Sequence, residues 1–283
     1  MATRYHAGEL AVQERAGVRE QADRMARGVF EGVPAPAARF LAERSMLVVG
    51  ARDGEGRVWC SMLAGDPGFL RVADERTLTV GAVPRPGDPL APTLAGPAQV
   101  GTLAIEPATR RRMRLNGTAR PAAGGLRIET AQVFANCPRF ITRREMPRFT
   151  APPPGTGAEP MAGAGLDERQ AAFVRAADTF FIATRGGDGG ADASHRGGDP
   201  GFVEVVDGRR LRWPDYPGNA MFATLGNLHG DPAAGLLFPD WATGSLLLLT
   251  GSARVAWDDA GGRAVEFTAD AVAELPGADR PRS

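Results

Sequence analysis

The 283-residue sequence predicts a mainly β protein with flanking helices, in which two related barrel domains are fused in one chain. Three observations carry this expectation. The first is a domain-sized repeat: Phe40 to Val72 aligns without a gap to Phe173 to Val205, 133 positions on, with 11 of 33 residues identical. The identities include Arg52/Arg185, Gly54/Gly187, Gly56/Gly189, Ser61/Ser194 and the run Gly65 to Phe69 against Gly198 to Phe202. A second block follows at offset 134, with Gly101-Thr102-Leu103 against Gly235-Leu236-Leu237 and Leu115-Asn116-Gly117 against Leu249-Thr250-Gly251. Solenoid repeats recur every few tens of residues, so a unit of this length marks the doubling of a whole domain. The second observation is a series of short β-type runs separated by Gly and Pro, the pattern of a small closed barrel. The third is length, which is enough for two ordinary cores.

Residues 8 to 30 read as a helix with Val18, Ala22, Met25 and Val29 on one stripe, so 1–35 forms an amino-terminal helical segment. Phe40 to Glu43 ends a second short helix. The first barrel, 36–145, then strings together strands at 46–50, 58–62, 69–72, 77–80, 99–105, 112–119 and 126–133. Turn chemistry such as Asp53-Gly54-Glu55-Gly56 and Pro84-Arg-Pro-Gly-Asp-Pro divides them. Residues 146–165, rich in Pro, Gly and Ala, read as a linker. In the second barrel, 166–283, Asp167 with Gln170 makes a helix start, and the strand pattern repeats to about Phe267.

The charge balance, 33 basic against 33 acidic residues, argues against a nucleic-acid or anionic-membrane surface. No apolar run approaches the ~20 residues of a membrane span, and Leu246 to Leu249 suits a buried strand. The opening Met1-Ala-Thr-Arg-Tyr-His has no signal-type apolar stretch, and two cysteines, Cys60 and Cys137, form neither a disulfide scaffold nor a metal spacing. A cytoplasmic protein without a metal site is the expectation. All 33 basic residues are arginine. Without lysine there is no side-chain Schiff base and no phosphate-loop lysine, so any phosphate must be held by arginine, hydroxyls or backbone amides.

The chemistry concentrates in the second copy. Asp192-Ala-Ser194-His195-Arg196-Gly197-Gly198 brings a hydroxyl, an imidazole, a guanidinium and two glycines together after a strand. The first copy reads Cys60-Ser61-Met62-Leu63-Ala64 there, without the imidazole and guanidinium. Trp213-Pro-Asp-Tyr216-Pro-Gly218-Asn219 then leads into Ala220-Met221-Phe-Ala-Thr224-Leu-Gly-Asn227, a donor-rich turn opening a helix and a ready place for an anion. The matching Val83-Pro-Arg-Pro-Gly-Asp-Pro of the first copy is too proline-laden for that role. The second copy therefore reads as functional and the first as a partner or scaffold; the loss of the motif predicts one site per chain, with one or two left open.

These segments, with Gly201-Phe202, Thr224-Leu-Gly-Asn227, Asn136-Cys137-Pro-Arg139 and His6-Ala-Gly-Glu9-Leu-Ala-Val-Gln13, resemble the FMN-binding split β-barrels of the pyridoxamine 5'-phosphate oxidase-like family over most of the chain. The resemblance implies two fused split β-barrel domains and an FMN-dependent oxidoreductase acting on a small molecule, with NAD(P)H or oxygen as second reactant. It implies cofactor contacts from Ser194, His195, Arg196, Gly197, Tyr216, Gly218, Asn219, Met221, Thr224 and Asn227. Family barrels pair with flavin at the dimer interface, so the fused copies mimic one such pair, and further homodimerisation stays open. Two departures count against pyridoxamine phosphate as substrate: Ala220 stands where classical members are basic, and the carboxyl terminus lacks their substrate-phosphate signature. Catalytic residues are not assigned, because hydride transfer needs no acid–base pair and the sequence offers none.

Alternatives remain at each level. A deazaflavin or haem is the rival cofactor, with His195, His229 or His6 as axial ligand, and a non-catalytic flavin carrier or scaffold is the rival role. Arg196 also suits a surface salt bridge, His195 a satisfied half-buried imidazole, and Tyr216 and Asn219 plain turn chemistry. Cys137, set before a proline near the end of the first barrel, suits a structural role, with a redox or substrate role as the rival. His6 and Glu9, spaced i, i+3, suit a local hydrogen bond, and Trp59, Trp213, Trp241 and Trp257 suit the core, with flavin stacking the rival use.

Overall fold

A run such as Met46-Leu-Val-Val-Gly, apolar throughout, suits a strand covered on both faces. The computed structural model, which describes residues 5–145, 161–186 and 189–277, makes it β1 (Met46–Arg52), buried at every position but the last. The first sheet runs β2 (Val58–Ala64), β1, β5 (Ala98–Glu106), β6 (Arg111–Ala122), β7 (Gly125–Ala135), β4 (Thr77–Val80), β3 (Leu70–Asp74), with antiparallel neighbours throughout. The second repeats that order: β10 (Ala191–Gly197), β9 (Thr179–Arg185), β13 (Ala233–Pro239), β14 (Leu246–Trp257), β15 (Arg263–Leu275), β12 (Arg210–Pro214), β11 (Glu204–Val205). Even the irregularity repeats, since β6 shifts register at Asn116/Gly117 and β14 at Thr250/Gly251.

Three expectations are corrected. Neither sheet closes on itself, because β2 and β3, or β10 and β11, end the ladder, so the barrels are split rather than closed. The helix expected over 8–30 is two, α1 (Ala7–Arg15) and α2 (Arg19–Ala26), because Gly17 takes φ +66° and turns the chain. The end of the expected linker is a strand: β8 (Met161–Gly163) pairs with β15, while 146–160 lie outside the described residues. The remaining helices are α3 (Ala35–Ala42), α4 (Ala91–Leu94), α5 (Glu168–Ala176) and α6 (Ala223–Gly230). α5 has the capping box its sequence announced, with Asp167 accepting from the Gln170 amide at 2.7 Å.

The barrels meet face to face through β1, β2 and β5 against β9, β10 and β13. The paired glycines of the repeat make this approach achievable. A Cβ on Gly101 would lie 2.3 Å from Asp192 Cα, and one on Gly235 would lie 2.6 Å from the Val58 carbonyl oxygen. One apolar core runs across the seam, joining Leu47, Val49 and Leu103 to Phe181, Leu237, Leu246 and Leu248. A second core fills the carboxyl-terminal barrel, where Trp213 meets Phe180 edge-on at 5.0 Å. Outside, α1 crosses α6 so closely that a Cβ on Gly8 would sit 2.1 Å from the Gly226 carbonyl oxygen. No helix among the described residues is long and apolar enough to cross a membrane.

Candidate functional site

A cleft opens at the seam, and both barrels line it. β10 ends its sheet and pairs only with β9, so one backbone edge has no strand partner. From it Ser194, His195, Arg196 and Gly197 line the cleft. β6 of the first barrel contributes Arg112 and Arg114, and the chain leaving β7 contributes Asn136, Cys137 and Phe140. The floor at the other end is the turn from Pro214 to Phe222 and the first residues of α6.

Positive charge outweighs negative here. Arg114 donates to both Asp192 oxygens, at 2.8 and 3.0 Å, and to Ser194 Oγ, which also accepts from Thr224 Oγ1 at 3.0 Å. Asp215 is taken by Arg263 at 3.0 Å. Among the described residues, Arg112 and Arg196 then meet no carboxylate; Arg112 Nη1 approaches His195 Nδ1 at 2.8 Å, and Arg196 Nη1 donates to the His195 carbonyl at 3.1 Å. Burial, and next the charges of Arg114 and Arg196, push the Arg112 guanidinium down to about 9. Burial, then Arg112, Arg196, Arg144 and Arg114 in turn, hold the His195 imidazole well below its ordinary range, so it is neutral at pH 7. Arg112 Nε, Arg114 Nε, Arg196 Nε and His195 Nε2 are enclosed and have no hydrogen-bond partner among the described residues, nor has Asn136 Oδ1. Buried polar atoms are rarely left so. Four donors on one cleft fit an anionic group carrying several acceptor oxygens.

The turn is built for close approach. Ala220 and Phe222 take φ of +63° and +58°, a left-handed conformation unusual outside glycine. Two side chains brace them: Asn219 Oδ1 accepts from the Met221 amide at 3.1 Å, and Gln13 of α1, fully buried, donates to the Met221 carbonyl at 2.9 Å. No side chain caps α6, so its first amides meet the cleft with the positive end of the helix dipole.

Nine of the ten expected residues line the cleft: Ser194, His195, Arg196, Gly197, Tyr216, Gly218, Asn219, Met221 and Thr224. Asn227 does not. It is buried one turn further along α6, donates to Thr184 Oγ1 at 2.9 Å, meets His6 Nε2 at 2.8 Å and borders a neighbouring cavity. Gly197 lacks a side chain because a Cβ would lie 2.0 Å from the Phe140 carbonyl oxygen. Tyr216 is partly exposed and stacks on Phe140 at 4.7 Å, tying the second barrel's turn to the first barrel's tail. His6 caps α1: its Nδ1 accepts from the Gly8 amide, and Glu9 accepts from the His6 amide. His229 is exposed at the far end of α6. Cys137 lines the cleft, whereas none of the four tryptophans does.

Arg112 and Arg114 escaped the motif reading because they lie in the copy without the motif. The signal was present in the offset of 134, which sets them opposite Leu246 and Leu248. The offset of 133 in the first block sets His195 and Arg196 opposite Met62 and Leu63. The residues at those matching positions across the seam are accordingly apolar and buried. There Arg85, buried, donates to the carbonyls of Gly244 and Pro276, and buried Asp88 accepts from Ser61.

Residues 166–280 match the pyridoxamine 5'-phosphate oxidase family. No protein of curated function matches the chain. Among solved structures, HupZ of Group A Streptococcus is 10% identical, with 41% of this chain and 100% of that chain covered and a TM-score of 0.32. A Clostridium acetobutylicum protein of the pyridoxinephosphate oxidase family is 14% identical, with 38% and 86% covered and a TM-score of 0.30. An FAD-binding protein of Mesorhizobium loti is 9% identical, with 43% and 100% covered and a TM-score of 0.30.

Proposed function

We propose, from the membership of residues 166–280 in the pyridoxamine 5'-phosphate oxidase-like family, that the chain binds one FMN in the seam cleft and acts as a flavin-dependent oxidoreductase on a small molecule. The observation that carries the choice of cofactor is the pair of guanidiniums, Arg112 and Arg196, with enclosed, unpartnered Nε atoms and no carboxylate between them. Two such charges match a terminal phosphate, which is close to a dianion at neutral pH. The pyrophosphate bridge of a dinucleotide instead spreads two single charges over two phosphates.

The residues divide the work by position. Arg196, Arg112 and the uncapped first turn of α6 hold the phosphate, with Asn219 and Gln13 keeping the Ala220–Phe222 backbone in place. Ser194 and Thr224, joined to each other and to Arg114, offer hydroxyls along β10. Phe140 and Tyr216 cover the mouth and limit water. When bound, the flavin supplies two-electron chemistry at its ring. Haem is disfavoured by the imidazoles: both ring nitrogens of His6 are in contact, and His229 is exposed at the far end of α6. With Nδ1 of His195 accepting from Arg112, its Nε2 keeps the proton and has no lone pair for iron. The first copy, with Met62 and Leu63 in place of the imidazole and guanidinium, supports one FMN per chain. An absorption spectrum of the purified protein with added FMN tests the reading. Flavin bands at one per chain, weakened in Arg196→Ala and Asn219→Ala, are expected, and unchanged affinity in both variants refutes it. NADPH-dependent bleaching followed by reoxidation with an acceptor distinguishes an enzyme from a carrier.

A further inference from the structure

We infer that His195 is a neutral imidazole locked by Arg112 of the opposite barrel in the tautomer with its proton on Nε2, and that this N–H donates to an oxyanion of the ligand in the seam cleft. The inference rests on the flavin reading for the identity of that ligand, not for the state of the histidine. Arg112 Nη1 lies 2.8 Å from Nδ1, and a guanidinium only donates. Nδ1 must therefore be the acceptor, and in a neutral ring the proton then sits on Nε2. Nε2 is enclosed, has no partner among the described residues, and belongs to a residue 5% exposed that lines the cleft. The imidazole is thus a donor held ready, not a base.

Its surroundings choose the acceptor. β6 brings Arg112 and Arg114, β10 brings Arg196, and the chain after β7 brings Arg144; the nearby carboxylates Asp192, Asp215 and Asp178 are each occupied, by Arg114, Arg263 and Arg144. Phe181 of β9 packs against the ring at 5.6 Å, edge to face. A second proton would place an imidazolium among four guanidiniums. A neutral donor among cations recruits oxygen with negative charge, as in a phosphate or carboxylate. Because Arg112 comes from the first barrel and His195 from the second, the donor exists only when the barrels are fused or paired. This gives the motif-less copy a function in the site.

Nitrogen-15 NMR of the imidazole in the full-length protein tests this. The ligand-free protein should show Nδ1 bare and Nε2 protonated from pH 6 to 8, and Arg112→Met should mix the two tautomers. Inorganic phosphate, FMN and riboflavin then serve as probes. A shift of Nε2–H with phosphate and FMN but not riboflavin assigns the oxyanion to the cofactor phosphate. A shift produced by phosphate only on top of saturating FMN assigns it to a second reactant. In the affinity arm His195→Gln, whose amide nitrogen can stand in for Nε2, should stay near wild type. His195→Asn, which keeps only the Arg112 contact, should bind the oxyanion about ten- to a hundred-fold more weakly, the range for a hydrogen bond to a charged group. A proton on Nδ1, an imidazolium at pH 7, or an Nε2–H unmoved by every probe overturns the inference. If neither flavin binds but phosphate still shifts Nε2–H, the flavin reading fails and the histidine's role stands.

Discussion

Arg114→Leu is the most demanding test of how the two barrels are joined. Arg114 and Asp192 are both under 10% exposed and meet through two hydrogen bonds across the seam, at 2.8 and 3.0 Å. Arg114 also donates to Ser194 and lies over the Phe134 ring at 5.4 Å. Removing the guanidinium leaves the Asp192 carboxylate enclosed with one neutral donor, Asn116 Nδ2 at 3.2 Å. Breaking one side of a buried pair costs about 3–5 kcal/mol, because the remaining charge has lost both water and partner. Replacing both sides costs far less, since neither charge is then stranded. The molecule already contains the apolar solution: the repeat places Leu248 and Trp59 at the corresponding positions, both buried in the shared core. Arg114→Leu and Asp192→Leu should each lose about 3–5 kcal/mol, and the double variant about 1 kcal/mol or less, a coupling of several kcal/mol. Urea is the denaturant of choice, because guanidinium salt would screen the interaction being measured. A loss under about 1 kcal/mol for Arg114→Leu, or a double variant as costly as the sum of the singles, refutes the reasoning.

Stability should fall on acidification below about pH 6.5 with a slope approaching 1.4 kcal/mol per pH unit from His195 alone. Its depressed folded pKa means the unfolded chain binds the proton first, so this contribution is complete above the unfolded value and is lost as pH falls toward the folded one. The slope should shrink in His195→Asn, as urea midpoints across pH 5 to 8 will show. Gly101→Ala should cost about 3 kcal/mol, because the new Cβ meets Asp192 backbone rather than a side chain that can swing away; a thermal midpoint unchanged from wild type would contradict the seam geometry. Gln13→Leu strands the Met221 carbonyl, costs about 1–3 kcal/mol, and should raise hydrogen exchange at 220–226 more than elsewhere. Titration with FMN should saturate at one per chain, and two would mean that the cluster around Arg85 opens.

Much of the architecture was legible because it is local or periodic. Apolar runs punctuated by Gly and Pro marked β1 to β7 within one to three residues, and the Asp167–Gln170 spacing announced α5, because strand alternation and capping act over a few residues. The repeat carried further than its length: shared strand order, the shared bulge after Asn116 and Thr250, and the glycine pair at the seam all follow from it. Less legible was the break at Gly17, since its neighbours are all compatible with helix, and the strand at Met161–Gly163, which exists only because β15 offers an edge.

The sequence by itself determined that there are two copies of one barrel, that only the second carries Ser194-His195-Arg196, and that any phosphate must be met by arginine, hydroxyls or backbone amides rather than lysine. The tertiary structure decided what the first copy is for. Arg112 and Arg114 carry no motif, and their meaning comes from lying beside His195 and Asp192, about 80 residues away in the chain. It also placed Asn227 one turn beyond the cleft, against Thr184 and His6. The physical reason is that charge, burial and hydrogen-bond satisfaction are properties of neighbours in space. A sequence records which donors exist, and only packing shows which of them are left without a partner.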